Sequence, residues 1–180
     1  VYGEAASFPI SEDVPARPIS PYGASKLAAE AYWLAFHEAY GLKTVVLRYF
    51  NVYGPRQRPG IYDNVILNTI DRVLKGLPPV IYGDGKQTRD FVHVSDVVRA
   101  TLLAAEKSSA VGQVINVGSG VETTVEELIE LILKLMGRTD LKPICKPPRK
   151  GDIRRSWADI SKARALLGYE PEVSLEQGLR

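Results

Sequence analysis

The sequence predicts an α/β protein organised on parallel strands, and two observations carry that prediction. A helical stretch from Pro21 to Tyr40 is followed at once by Lys43 to Phe50, β-branched and nearly continuous in apolar character, as a strand covered on both faces must be. A second run, Val114 to Val117, ends at Gly118-Ser119-Gly120 and leads into another helix with a capping signal.

Composition bounds the rest. A chain of 180 residues with 45% hydrophobic and 24% charged residues is long enough for one domain with a proper core or two small lobes. A net charge of +2, with basic residues scattered apart from Lys146 to Arg155, argues against nucleic acid as a partner. The one cysteine, Cys145, forms no internal disulfide and reads as a small buried hydrophobe, and two histidines give no metal-ligand spacing. No apolar run has membrane-span length and no signal-peptide succession opens the chain, so the expectation is a cytoplasmic protein.

In chain order, Val1 to Gly3 read as the end of a strand that begins elsewhere, and residues 4 to 20, with Pro9, Pro15 and Pro18, as a loop rimming a site. Ser20 is a good N-cap and Pro21 suits the first helical position, where a missing N–H costs nothing. The helix carries Leu27, Ala28, Ala31, Leu34, Ala35 and Phe36, one side expected against a sheet. Trp33 and Tyr40 add a second surface to bury, such as a subunit contact. Residues 53 to 60 read as a Gly/Pro loop and 63 to 75 as a helix stopped by Gly76. Val80 to Tyr82 form a short strand before the Gly83-Asp84-Gly85 turn, and Ser95 caps a helix to about Lys107 with Asp96 in its first turn. Thr123 with Glu126, or Thr124 with Glu127, opens a helix that ends at Gly137. The tail holds a strand near 143 to 146, a short helix ending at Leu167, and a capping box, Ser174 with Gln177, whose helix is cut at Arg180.

Chemistry enters at Tyr22 and Lys26, four apart and therefore on one helix face. An ammonium beside a phenol favours the phenolate, which is how a tyrosine becomes a usable base at neutral pH. The spacing alone is weak, since Tyr82 and Lys86 match it too, but that pair spans a glycine turn and shares no helix face. Asn51 stands just past a strand, where its side chain serves either the turn or a ligand in the crevice at the strand's carboxyl end. Arg89, past the Gly83 turn, and Arg149, in Arg149-Lys150-Gly151-Asp152, offer forks suited to phosphate, or ordinary surface ion pairs.

Taken in order, Val1-Tyr2-Gly3, Ser20-Pro21-Tyr22-Gly23-Ala24-Ser25-Lys26, Arg48-Tyr49-Phe50-Asn51-Val52-Tyr53-Gly54-Pro55-Arg56, Gly83 to Val94, Asn116 to Gly120 and Arg149 to Asp159 resemble the extended short-chain dehydrogenase/reductase family, and within it the UDP-glucose 4-epimerase type. The resemblance covers essentially the whole chain. It implies a remnant of a Rossmann-type parallel sheet plus a smaller α/β substrate-binding lobe. The dinucleotide-binding remnant is expected over 1–60 and the nucleotide-sugar lobe mainly over 61–180, with strand 113–117 returning to the sheet.

The same resemblance implies NAD as cofactor and a UDP-sugar or related nucleotide sugar as ligand, with no nucleic acid, no membrane, and a homodimer. Tyr22 is then the base and Lys26 its partner and a ribose contact, with Phe50 beside the nicotinamide. Asn51, Arg89 and Arg149 bind the diphosphate, Asp152 accepts from a ribose hydroxyl, Val80 to Tyr82 wall the uracil, and Asn64 adds a further contact.

No Gly-x-Gly-x-x-Gly follows a strand in these residues, and the Ser or Thr that assists the tyrosine in the family falls ahead of Val1. The expectation is therefore the second half of an epimerase, inactive alone. Two other readings stay open, a nucleotide-sugar 4,6-dehydratase or decarboxylase, and a non-catalytic nucleotide-sugar-binding or oligomerisation module.

Overall fold

A computed structural model describes residues 1–58, 64–149 and 151–180. The last residues of the loop read over 53–60, the first residue of the helix read over 63–75, and Lys150 lie outside them. Helix α1 spans Pro21–Tyr40. Ser20 Oγ accepts from the Gly23 N–H at 3.1 Å, and Gly41 stops the helix in the left-handed region at φ 68°.

Strand β1, Val46–Tyr49, is shorter than the apolar run that predicted it, and Phe50 breaks the ladder before β2, Asn51–Tyr53. The break is a change of partner. β1 runs parallel to β6, Val114–Val117, whereas β2 runs parallel to β5, Phe91–His93, with Asn51 N–H donating to the Asp90 carbonyl at 2.9 Å. Asn51 thus belongs to a second short strand, a correction to its placement in a turn.

Helix α2, Val65–Leu74, is followed by β3, Val80–Tyr82, and by β4, Thr88–Arg89, beyond the glycine turn. Helix α3, Val94–Glu106, starts directly from β5, so its cap is His93, whose Nδ1 accepts from the Ser95 N–H, and not Ser95. Asp96 is buried there and accepts from the N–H groups of Glu172 and Val173 at 3.1 and 3.2 Å. A 3₁₀ turn, Ser108–Ala110, precedes β6. β7, Thr123–Thr124, pairs antiparallel with β4 and opens α4, Val125–Leu135, through the Thr124–Glu127 capping box. β8, Ile144–Lys146, pairs parallel with β3. The chain closes with α5, Ser161–Leu167, and α6, Leu175–Leu179, the latter carrying the Ser174–Gln177 box. Among the described residues, three strand pairs are parallel and one is antiparallel.

The main core lies between the β1–β6 pair, α3 and α5, where Ile115, Val117, Ala100 and Ala163 are fully buried. Each fully buried aliphatic side chain of valine or isoleucine size is worth roughly 1.5–3 kcal/mol. A second cluster joins Tyr53, Ile66, Phe91, Leu128 and Ile132, and so seats α2 and α4 behind the β2–β5 pair.

Three sequence expectations fail on packing. Val1 to Gly3 form no strand; Tyr2 is instead buried and donates through its hydroxyl to Asn116 Oδ1 at 2.6 Å. Cys145 is exposed, because β8 has one neighbour. Helix α1 buries Gly23 and Glu30, not a broad apolar face, and Ala28, Ala31, Ala35 and Phe36 are exposed. Its tie to β1 is polar, with Arg48 Nε donating to Glu30 Oε2 at 2.9 Å and Nη2 to Oε1 at 2.5 Å, a link that apolar periodicity does not register.

Candidate functional site

A cleft of about 790 Å³ is lined by β2, β3, α2 and residues that follow β8. Eight of the ten residues singled out from the sequence line it: Tyr22, Asn51, Asn64, Val80, Tyr82, Arg89, Arg149 and Asp152. Lys26 and Phe50 do not. Phe50 is half-buried against the main core, with its ring 6.5 Å from that of Tyr2.

Tyr22 stands at the second position of α1, half exposed at 53%, and Lys26 Nζ lies 5.3 Å from its ring centroid. The Ser20 cap and Pro21 determine where the helix starts, and the helical repeat then sets Lys26 one turn on, against the same ring. Lys26 is exposed and does not itself line the cleft.

At the other wall, Arg89 is held by three acceptors. Nη1 donates to the Thr88 carbonyl at 2.6 Å and to the Ile153 carbonyl at 2.7 Å, and Nη2 is paired with Asp152. Burial pulls the Arg89 guanidinium below its ordinary pKa, against the opposing pull of Asp152 and Glu4. The Arg149 guanidinium stacks over Tyr82, 3.7 Å from the ring centroid. Asn64 Oδ1 caps α2, accepting from Ile66 and Leu67 N–H groups at 2.9 and 3.3 Å, so the amide nitrogen is the part of it left for a ligand.

The wall is positioned by Asp90, which is fully buried. Its Oδ1 accepts from the Ser119 N–H and hydroxyl, both at 2.6 Å, and its Oδ2 from the N–H groups of Gly120 at 2.9 Å and Ala158 at 3.1 Å. Burial pushes this carboxyl above its usual range, while the four bonds pull the other way. The approach is so close that a Cβ on Gly118 would meet Asp90 Oδ2 at 2.5 Å. Ala158 in turn bridges to Ile10, tying the 4–20 loop to the segment that carries Asp152.

Sequence reasoning passed over Arg72, Gln87, Phe91 and Lys146, which also line the cleft. Gln87 and Phe91 flank Arg89 and were within reach of the same motif, had buried neighbours been sought there. Arg72 and Lys146 arrive through tertiary pairing and carry no local signal.

Comparison with known proteins places this geometry. The GDP-mannose 4,6 dehydratase family model matches residues 1–180. A UDP-glucose 4-epimerase of Mycolicibacterium smegmatis is 42% identical over 179 residues, 99% of this chain and 56% of its own length. The structure of the Thermotoga maritima UDP-glucose 4-epimerase with UDP-glucose superposes with a TM-score of 0.94 at 49% identity, covering 99% of this chain and 57% of that one. The Bacillus cereus UDP-glucuronic acid 4-epimerase, in complex with UDP-glucuronic acid and NAD, gives a TM-score of 0.92 at 40% identity over 99% of this chain and 56% of that one. The chain thus spans a little over half the length of the relatives it matches. No helix among the described residues is long and apolar enough to cross a membrane.

Proposed function

The chain belongs to the extended short-chain dehydrogenase/reductase family of nucleotide-sugar epimerases and dehydratases, and from that membership we propose that it carries the sugar-nucleotide-binding and proton-transferring part of an NAD-dependent UDP-hexose 4-epimerase. The observation that carries this reading is the convergence of Tyr22 with Asn51, Tyr82, Arg89, Arg149 and Asp152 on one cleft, although they come from five separate stretches of chain. Residues 1–60 belong in this reading to the dinucleotide-binding domain and 61–180 mainly to the substrate lobe. The parallel ladder of β1 with β6 supports a return of 113–117 to the first domain.

Tyr22 takes the proton from the sugar 4-hydroxyl and gives it back after the ketose has turned over. Lys26 lies close enough to steady the tyrosine from the cofactor side. Arg89 and Arg149 hold the diphosphate, Asn51 and Asn64 donate to it or to the sugar, and Asp152 accepts from a ribose hydroxyl. Val80 and Tyr82 wall the base. The residues that fit NAD are Tyr22, Lys26 and Phe50, the first two forming a donor pair at the cleft edge. NAD held there would supply a reversible hydride acceptor and would not be consumed. A cytoplasmic location goes with this chemistry.

Calorimetry with UDP tests the reading directly. Arg89→Ala and Arg149→Ala each weaken UDP binding by ~2–5 kcal/mol, the usual cost of truncating one partner of a desolvated charge pair. Unchanged affinity in both would return these arginines to the role of surface ion pairs and remove the nucleotide site with them.

Self-association is the second part of the proposal, through α1. Tyr32, Trp33, Phe36 and Tyr40 are 69%, 53%, 45% and 78% exposed, a run of large apolar side chains that a two-fold contact would cover. Light scattering is expected to give twice the chain mass, and Trp33→Glu to halve it. A monomer at every concentration sinks this part alone.

A further inference from the structure

We propose that Tyr82 is a positioning residue for phosphate binding: one face of its ring carries the Arg149 guanidinium and holds that fork at the cleft before a ligand arrives. The inference rests on the reading of Arg149 as a diphosphate contact, and it gives the ring a duty apart from walling a base.

The chain builds the stack in order. Strands β3 and β8 run parallel with Tyr82 opposite Lys146, and the Gly83 N–H donates to the Lys146 carbonyl at 2.8 Å, so the ladder holds to the residue after Tyr82. Pro147 and Pro148 follow. Neither has an N–H for a further rung, and each ring fixes its own φ, so the chain leaves the ladder in a restricted direction. Pro148 stays against the turn, its Cβ 3.7 Å from where a Cβ on Gly83 would stand. The next residue is Arg149, whose Cζ lies 3.7 Å from the Tyr82 ring centroid, and both side chains line the cleft.

The two arginines of the wall are thus supported in different ways. Arg89 is set by the carbonyls of Thr88 and Ile153 and by Asp152. Arg149 is exposed and rests on a half-buried ring. An exposed arginine gives up rotamer freedom when it grips a phosphate, and a guanidinium already seated on an aromatic face has given up part of it beforehand. The negative face of the ring attracts the cation as well. Stacking uses the face of the guanidinium, whereas phosphate is bound through the N–H donors that lie in its plane. Ring and phosphate therefore do not compete for the same part of the group.

A double-mutant cycle between Tyr82 and Arg149 tests this, with UDP as the probe, read by calorimetry and, for the weakest variants, by NMR titration. Tyr82→Leu is expected to weaken UDP binding about fivefold, the size of an exposed cation–π contact, and Tyr82→Phe by less than about twofold, since phenylalanine keeps the aromatic face. Added to Arg149→Ala, Tyr82→Leu should cost nothing more. Pentafluorophenylalanine at position 82 keeps the shape of the phenylalanine ring and reverses the charge of its face, so it should repeat the loss of Tyr82→Leu even if leucine disturbs the fold. An equal loss from Tyr82→Leu with and without Arg149 would mean that the ring acts on the ligand directly, and would overturn the proposal. So would a loss in Tyr82→Phe as large as that in Tyr82→Leu, which would assign the effect to the hydroxyl, or an affinity unchanged by leucine and by the fluorinated ring. An unaltered chain that does not bind UDP overturns the nucleotide-site reading itself, which separates that failure from failure of Tyr82.

Discussion

Tyr22→Phe is expected to lower UDP-galactose to UDP-glucose conversion by at least ~10²–10⁴-fold in a protein that carries these residues together with bound NAD, the range typical of a positioned proton transfer. The substitution keeps the ring that lines the cleft and removes the hydroxyl that the proposal makes the base. UDP affinity should therefore hold while kcat falls, the pattern of an interaction made only in the transition state. Lys26→Met behaves differently. Its ammonium stands by the Tyr22 ring but outside the cleft lining, so it should weaken NAD binding as well as turnover. These 180 residues include no glycine cradle for a dinucleotide, and the chain assayed alone should give no conversion. A Tyr22→Phe enzyme with undiminished turnover would end the assignment of Tyr22 as the base. Conversion by the chain alone with added NAD would show that the cradle is dispensable.

Asp90→Asn is expected to cost ~2–5 kcal/mol of folding stability, read as a fall of about 10 °C in the unfolding temperature for a chain of this size. Each carboxylate oxygen accepts two donors, and an amide must turn its NH₂ toward one of those pairs, leaving buried N–H groups facing a donor. The sign of the pH dependence follows from burial, which raises the folded-state pKa over the opposition of the hydrogen bonds. A raised folded pKa gives stability that is complete below the unfolded value of about 3.9 and is lost as pH rises through the folded one. Protonation would set a carboxyl O–H against one donor pair as the amide does, so the cost of Asp90→Asn is to be read at neutral pH, where all four donors face acceptor oxygens. Because Ala158 and Gly120 are released together, the segment carrying Asp152 should loosen, and UDP affinity should fall with the stability. Urea unfolding that places the variant within experimental error of the parent would show that the four-donor arrangement contributes nothing.

Some of this molecule is legible in its sequence because it is decided locally. Ser20, Pro21 and Gly41 delimit α1 within one residue of its observed ends, and the Thr124–Glu127 and Ser174–Gln177 boxes open their helices where the spacing places them. Caps and turns are made between residues a few positions apart, so their cost and gain are already present in the local chain. The motif residues were legible for a different reason. Their resemblance to a family carries tertiary information that composition and periodicity do not, and eight of those ten line one cleft.

What only the tertiary structure decides is pairing between distant segments. The sequence predicts Lys43 to Phe50 as one strand, yet the partner changes from β6 to β5 at Phe50, and that change puts Asn51 beside Phe91. It predicts an apolar face on α1, yet the contact is the Arg48–Glu30 pair and most of the helix remains exposed. It marks Arg89 and Asp152 separately, and folding sets them against each other across the cleft wall, with Asp90 holding the crossing behind them. The physical reason is common to all three. Hydrogen-bond partners for strand edges, and countercharges for buried ions, are supplied by whichever segment the core brings alongside, and no pattern within a dozen residues encodes that choice.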